Sequence, residues 1–172
     1  MLRPPLMSDY VAWAELRARS RRHLTPWEPA WGHDELARGS YRRRLRVHQR
    51  DQRDDLGYAF FLFTRTNELV GGLTLSNVRR GVTQAAALGY WVGEPFAQKG
   101  YMSEAVSIAC RFAFEDLELH RIEAACLPTN YASIGVLTRN HFQKEGYARR
   151  YLKINGAWQD HILFGLLEDD LD

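Results

Sequence analysis

Residues 88–106 read LGYWVGEPFAQKGYMSEAV: an apolar run, a loop carrying Gly100, and the start of an amphipathic pattern. A loop that ends at a helix N-terminus exposes main-chain N–H groups with no intrahelical acceptor, and the helix dipole adds partial positive charge at the same place. Such a place binds phosphate. Gly100 lets the backbone approach an anion closely, and Lys99 and the Ser103 hydroxyl can add direct contacts. Taken alone, the same features suit an ordinary helix start with a turn glycine, so their meaning depends on the surrounding chain.

Proton-transfer groups are harder to read. Glu123 falls on a strand-like run beside this stretch, and Asp160 with His161 on the last one; each is a candidate relay, and each equally suits a structural or surface role. Glu94 and Glu104 read as a turn residue and a first-turn helical residue favoured by the dipole. Trp13, Trp27, Trp31, Trp91 and Trp158 read as core or cleft wall, not as a base-stacking platform. Cys110 and Cys126 are the only cysteines and lack CxxC spacing, which argues against a disulfide framework and a zinc site; no metal is expected.

The elements that must position these groups follow from periodicity. Ser8 is placed to cap a helix over 9–22, LTPWEPAW breaks it with two prolines, and a second, arginine-rich helix is expected from Asp34 to about Gln49. YAFFLFTR and ELVGGLTLSN predict an antiparallel hairpin, and QAAALGYWVG a strand leading into the loop. Met102, Ala105, Ala109 and Phe112 then recur at helical spacing. Residues 120–126 alternate as a strand ending before Pro128, and a short helix over 131–139 follows. FQKEGYARRYLKI and WQDHILFGLL, joined by Asn155-Gly156, predict a closing hairpin, with the acidic tail 168–172 frayed.

The chain of 172 residues, with 45% hydrophobic and 26% charged residues, suits a single globular domain spanning 1–172. A formal net charge of +2 is too small to announce a nucleic-acid binder, and the arginine clusters at 21–22, 42–46, 79–80 and 149–150 read as solvated faces. No run approaches the ~18 apolar residues of a membrane span, and MLRPPLMSDY has prolines where a signal peptide needs an apolar stretch. The expectation is a cytoplasmic protein with neither a membrane nor a direct nucleic-acid partner.

The string GYWVGEPFAQKGYMSEAV, followed by LHRIEAACLPTNYAS and FQKEGYARRYLKINGAWQDH, resembles the GNAT acetyltransferases, in particular the RimJ-like subgroup that acetylates ribosomal-protein N-termini. The likeness spans nearly the whole chain, including LTPWEPAW. The family's loop pattern, Gln or Arg, two residues, Gly, one residue, then Gly or Ala, falls on Ala97, Gln98, Lys99, Gly100, Tyr101 and Met102. Ala97 and Met102 depart from it, which leaves main-chain contacts to a pyrophosphate and removes a side-chain one.

The resemblance implies an α+β fold: a central, largely antiparallel mixed sheet, splayed between its fourth and fifth strands and flanked by helices. It implies acetyl-CoA as cosubstrate, its pantetheine hydrogen-bonded to the backbone of Tyr90, Trp91 and Val92. By the same likeness Asn130 holds the pantetheine, and Ser133 donates a hydrogen bond or proton to the leaving thiolate. MLRPPL reads as a shortened first strand, and a homodimer is compatible with the likeness. Three functions compete: acetylation of a protein N-terminus such as that of a ribosomal protein, acetylation of a small amine such as an antibiotic or polyamine, and a catalytically silent acyl-CoA-binding module. An acidic cleft would favour the second, because such acceptors are cations.

Overall fold

Near-continuous apolar runs give the middle of the chain strands that can bury both faces. In the computed structural model, which describes residues 1–171, the strands are β1 (Leu2–Arg3), β2 (Tyr58–Phe63), β3 (Leu69–Arg79), β4 (Ala85–Val92), β5 (Arg121–Cys126), β6 (Gln143–Ile154) and β7 (Ala157–Leu167). They form one sheet in the order β1-β2-β3-β4-β5-β7-β6. Every neighbouring pair is antiparallel except β4 and β5.

That exception opens the sheet. The β4–β5 register holds for Ala85↔Arg121, Ala86↔Ile122 and Ala87↔Glu123 and then stops. Beyond it β4 continues on β3 as far as Val92, and β5 continues on β7 as far as Cys126, so each half keeps its own ladder while the two part. Main-chain N–H and C=O groups along the parted edges have no strand to pair with, and buried groups of that kind require partners.

The two faces carry two cores. Odd positions of β2, Phe61 and Phe63, pack with Trp13, Leu16, Tyr41 and Leu45 of α1 (Tyr10–Arg19) and α3 (Arg38–Arg53). On the opposite face Leu62, Leu73, Leu75 and Leu88 meet Ala105, Val106 and Ala109 of α4 (Tyr101–Arg111) and Leu137 of α5 (Tyr131–Arg139). A one-turn α2 (Arg21–Leu24) joins α1 to the loop before α3.

Several expected boundaries move. Ser8 caps nothing: a 3-10 turn over Met7–Asp9 precedes α1, and the buried Asp9 carboxylate takes the Leu6 N–H (2.8 Å) and both Arg3 Nη atoms (2.8 and 2.7 Å). The helix expected over 9–22 breaks at Ser20, whose fully buried hydroxyl accepts the Glu94 N–H at 2.9 Å. The second helix starts at Arg38 and not at Asp34, because Asp34 is spent on Ser40 (2.8 Å) and Arg43 (3.1 Å) as a turn. The tail is not frayed up to Leu171: it closes in a 3-10 turn, with Asp170 accepting the Leu167 N–H and Gln143 Nε2, both at 2.8 Å, while Asp172 lies outside the described residues. Trp158 is neither core nor cleft wall, being 61% exposed on β7. The closing turn is as predicted, with Asn155 and Gly156 both at positive φ (46° and 83°), the left-handed pair a two-residue hairpin needs.

Candidate active site

The parted strands border a cleft of about 720 Å³. One end of it is main chain. The loop residues Ala97, Gln98, Lys99, Gly100, Tyr101, Met102 and Ser103 all line it. Gln98 and Gly100 sit at φ 58° and 84°, two left-handed positions that turn the loop into the first turn of α4. A Cβ on Gly100 would meet nothing within 4 Å, so the glycine is required by its φ and by the open space in front of it, not by crowding. The first intrahelical bond comes only from Glu104 N–H to the Gly100 carbonyl (3.1 Å), which leaves the preceding N–H groups to an incoming anion. Met102 is 5% exposed, its side chain sunk in the core, so its family-atypical bulk does not fill the loop.

Asn140, a residue the periodicity reading passed over, ties this end down. Its Nδ2 donates to the Ser103 carbonyl (3.1 Å), to Ser103 Oγ (3.2 Å) and to the Val136 carbonyl (2.9 Å). Because Ser103 Oγ accepts there, its own proton stays free to donate.

Midway along the cleft, Tyr90, Trp91 and Val92 face Cys126, Asn130 and Ser133 across the gap. Asn130 Oδ1 caps α5 by accepting the Ser133 N–H at 3.1 Å, and its amide nitrogen is not used in that cap. Ser133 Oγ lies 2.8 Å from Tyr90 Oη, a hydroxyl pair bridging β4 and α5. Burial raises the Tyr90 phenol well above its usual range, against the opposing pull of Ser133. Burial likewise pushes the Cys126 thiol up to about 11, with the Ser133 hydroxyl again pulling the other way. Both groups are therefore neutral donors near pH 7.

The other end is made of side chains from distant segments: His23, Trp27 and Glu28 after α1, and Leu152, Ile154 and His161 of the closing hairpin. The Glu28 carboxylate takes a two-pronged ion pair from the buried Arg17 (3.0 and 2.6 Å) and the Trp31 indole N–H (2.8 Å). Its carbonyl accepts the Asn155 N–H at 2.8 Å, which staples the loop to the hairpin turn. His161 is 2% exposed, and its Nδ1 stands 2.9 Å from the Gln159 carbonyl. A carbonyl only accepts, so the proton belongs on Nδ1 and the Nε2 lone pair is left over.

The sequence candidates divide accordingly. The loop 97–103, Tyr90, Trp91, Val92, Asn130 and Ser133 converge on one cleft; Glu123 and Asp160 do not border it. Glu123 is clamped by Arg79 (2.6 Å) and Arg121 (3.0 Å); its burial opposes the charge, but the two arginines hold the carboxyl below its usual range. Asp160 is taken up by the Arg150 N–H and the Tyr147 hydroxyl, both at 2.8 Å, which lower it in that order. A carboxylate already saturated in this way is a poor proton acceptor, and the fold brings neither of them to the cleft. Glu28 and His23 were missed: nothing in LTPWEPAW indicates that the segment folds back onto the last hairpin.

Comparison with known proteins places these features in company. Residues 1–143 match the model of a family described as the acetyltransferase (GNAT) domain. Over 168 residues the chain is 36% identical to the [ribosomal protein uS5]-alanine N-acetyltransferase of Escherichia coli (strain K12), covering 96% of this chain and 87% of that one. It is 40% identical over 130 residues to the probable N-acetyltransferase YjcK of Bacillus subtilis (strain 168), covering 75% and 72%. Among solved structures, Mycobacterium smegmatis RimJ in complex with CoA-disulfide superposes with a TM-score of 0.93 at 35% identity, covering 99% of this chain and 82% of that one.

Proposed function

The chain belongs to the GNAT acetyltransferase family, and from that premise we propose that it moves the acetyl group of acetyl-CoA onto the N-terminal α-amine of a ribosomal protein in the cytoplasm. The observation that carries this reading is a single cleft with a main-chain anion cradle at one end and a side-chain chamber at the other, joined through a gap in the sheet. Loop 97–103 holds the diphosphate, the unpaired edge of β4 at Tyr90–Val92 takes the pantetheine amides, and a main-chain N–H there polarises the thioester carbonyl.

The acceptor amine enters from the chamber. Its N–C bond forms as the C–S bond breaks, His161 Nε2 receives the amine proton, and the Ser133–Tyr90 hydroxyl pair protonates the departing sulfur. His161 thereby replaces Glu123 and Asp160 in the role first considered for them. Small polycationic acceptors are disfavoured by the lining: Glu28 is its one carboxylate among the described residues and already carries Arg17, whereas His23, Lys99, Arg139 and His161 contribute nitrogen. Among those residues no helix is long and apolar enough to cross a membrane.

The test is thiol release from acetyl-CoA with peptides beginning in alanine, with spermidine and with an aminoglycoside. Turnover with peptides alone is expected, and Ser133→Ala should lower kcat by about tenfold or more at unchanged affinity for acetyl-CoA. Binding of acetyl-CoA with no turnover of any acceptor would return the chain to a silent acyl-CoA module.

A further inference from the structure

A second cavity of about 390 Å³ lies on the face of the sheet that carries α1 and α3. Its floor is Ala59, Gly72 and Thr74, facing one way across paired β2 and β3. Its walls include Tyr41 and His48 of α3 and the Trp31 ring. Glu28 and Trp91 border both this cavity and the cleft, so they form the partition between them. The Trp91 indole lies across Gly72, where a Cβ would stand 2.7 Å from Nε1; only glycine lets the ring settle on the sheet. Phe61 meets that ring edge-on at 6.4 Å.

The chemistry of the cavity is that of aromatic faces with no spare charge. Arg17 lies over the Trp31 and Trp91 rings at 4.8 and 4.9 Å and is paired with Glu28, while Glu35 receives Arg44. Burial lowers the pKa of His48, favouring the neutral ring. Arg17 is 4% exposed, and its Nε is a buried donor without a partner among the described residues. A buried N–H in that state awaits an acceptor, and the peptide carbonyl of a bound chain is one. The volume is within the ~300–1,000 Å³ of ligand sites.

Resting on the function proposed above, we infer that this cavity receives the side chain of the acceptor's second residue and selects an uncharged, apolar one. A polypeptide whose first residue reaches the thioester must continue out of the cleft, advancing ~3.3–3.6 Å per residue. The space adjoining the acceptor end across Glu28 and Trp91 is this one. An acidic second residue would instead lose its hydration against paired charges and indole rings.

Two pentapeptides, beginning Ala-Leu and Ala-Asp and otherwise identical, test the inference. The intact protein should prefer the first by about tenfold or more in kcat/KM. Thr74→Phe, which fills the floor, should bring that ratio below about threefold and leave calorimetric affinity for acetyl-CoA unchanged; His48→Trp, filling from the helix side, serves if the first variant does not fold. Equal turnover of the two peptides by the intact protein, or a preference that survives in a folded plugged variant, overturns the subsite while the acetyltransferase reading stands. Turnover of neither peptide overturns both.

Discussion

The two ends of the cleft are built from different materials. The end proposed to hold phosphate is one contiguous loop, 97–103, whose main-chain N–H groups are oriented by the left-handed Gln98 and Gly100, so the proposed role does not depend on the side chains of Ala97 and Met102. The acceptor end is assembled from His23, Trp27 and Glu28 near the start of the chain and Leu152, Ile154 and His161 near its end. It holds together through a buried ion pair and one backbone staple, Glu28 carbonyl to Asn155 N–H. A site made of backbone depends on conformation at very few positions. A site made of side chains depends on the balance of charges beneath it, and the two should fail in different ways.

The largest expected failure is at the acceptor end. Glu28→Ala leaves the Arg17 guanidinium, 4% exposed, with Glu35 at 3.9 Å as its one remaining carboxylate among the described residues. Removing one partner of a buried pair costs about 3–5 kcal/mol, read as the shift in a urea unfolding curve. The double change Arg17→Met with Glu28→Leu, which removes both charges and keeps the volume, should recover most of that loss. At temperatures where Glu28→Ala remains folded, its affinity for acetyl-CoA should match the parent's. If it falls as far as in the loop variant described next, the ends are not independent and the comparison breaks.

Gly100→Val is the counterpart at the phosphate end. Valine at φ 84° is strained by about 1–2 kcal/mol, and its branches project into the open space through which an anion must approach. Affinity for acetyl-CoA should drop by about a hundredfold, or about 2.7 kcal/mol, in a calorimetric titration. The fold should survive. Binding within about threefold of the parent would show that the diphosphate is held elsewhere, since backbone approach at this residue is the premise of the cradle.

This division also decides what could be read in the sequence. Alternation and turn chemistry are local, so the six strands β2 to β7, the Asn155-Gly156 hairpin and the glycine loop before α4 could be located from neighbouring residues alone. Ser20 could not: its role is to accept an N–H from Glu94, and no local pattern links them. The surroundings of Glu123 could not be read for the same reason. Its strand was correctly placed, but Arg79, on β3, and Arg121 saturate its carboxylate, and that pairing belongs to the folded sheet. The acceptor end consists almost wholly of such long-range relations, which is why His23 and Glu28 went unseen while residues 97–103, which line the cleft, could be picked out from one contiguous string.

The smallest effect concerns the residue next to Asn140, which ties down Ser103, and its side chain should not matter. His141 ends α5 at φ 64°, with its N–H on the Thr138 carbonyl (3.1 Å) and the buried Phe142 following with a bond to the Leu137 carbonyl (3.1 Å). A side chain in the left-handed region costs about 1–2 kcal/mol, whereas glycine forfeits about 0.5–1 kcal/mol through its freer unfolded chain. His141→Gly should therefore gain about 0.5–1 kcal/mol, raising the thermal midpoint by about 1–4 °C. The Asn140 contacts to Ser103 stay in place because the helix end keeps its geometry, so acetyl-CoA affinity and kcat should not change. A stabilised variant with unaltered affinity sharpens the contrast with Gly100→Val: at this end of the cleft the backbone trace carries the function. A loss of affinity would instead assign the imidazole a contact with the cofactor and move part of the phosphate end into the side-chain class.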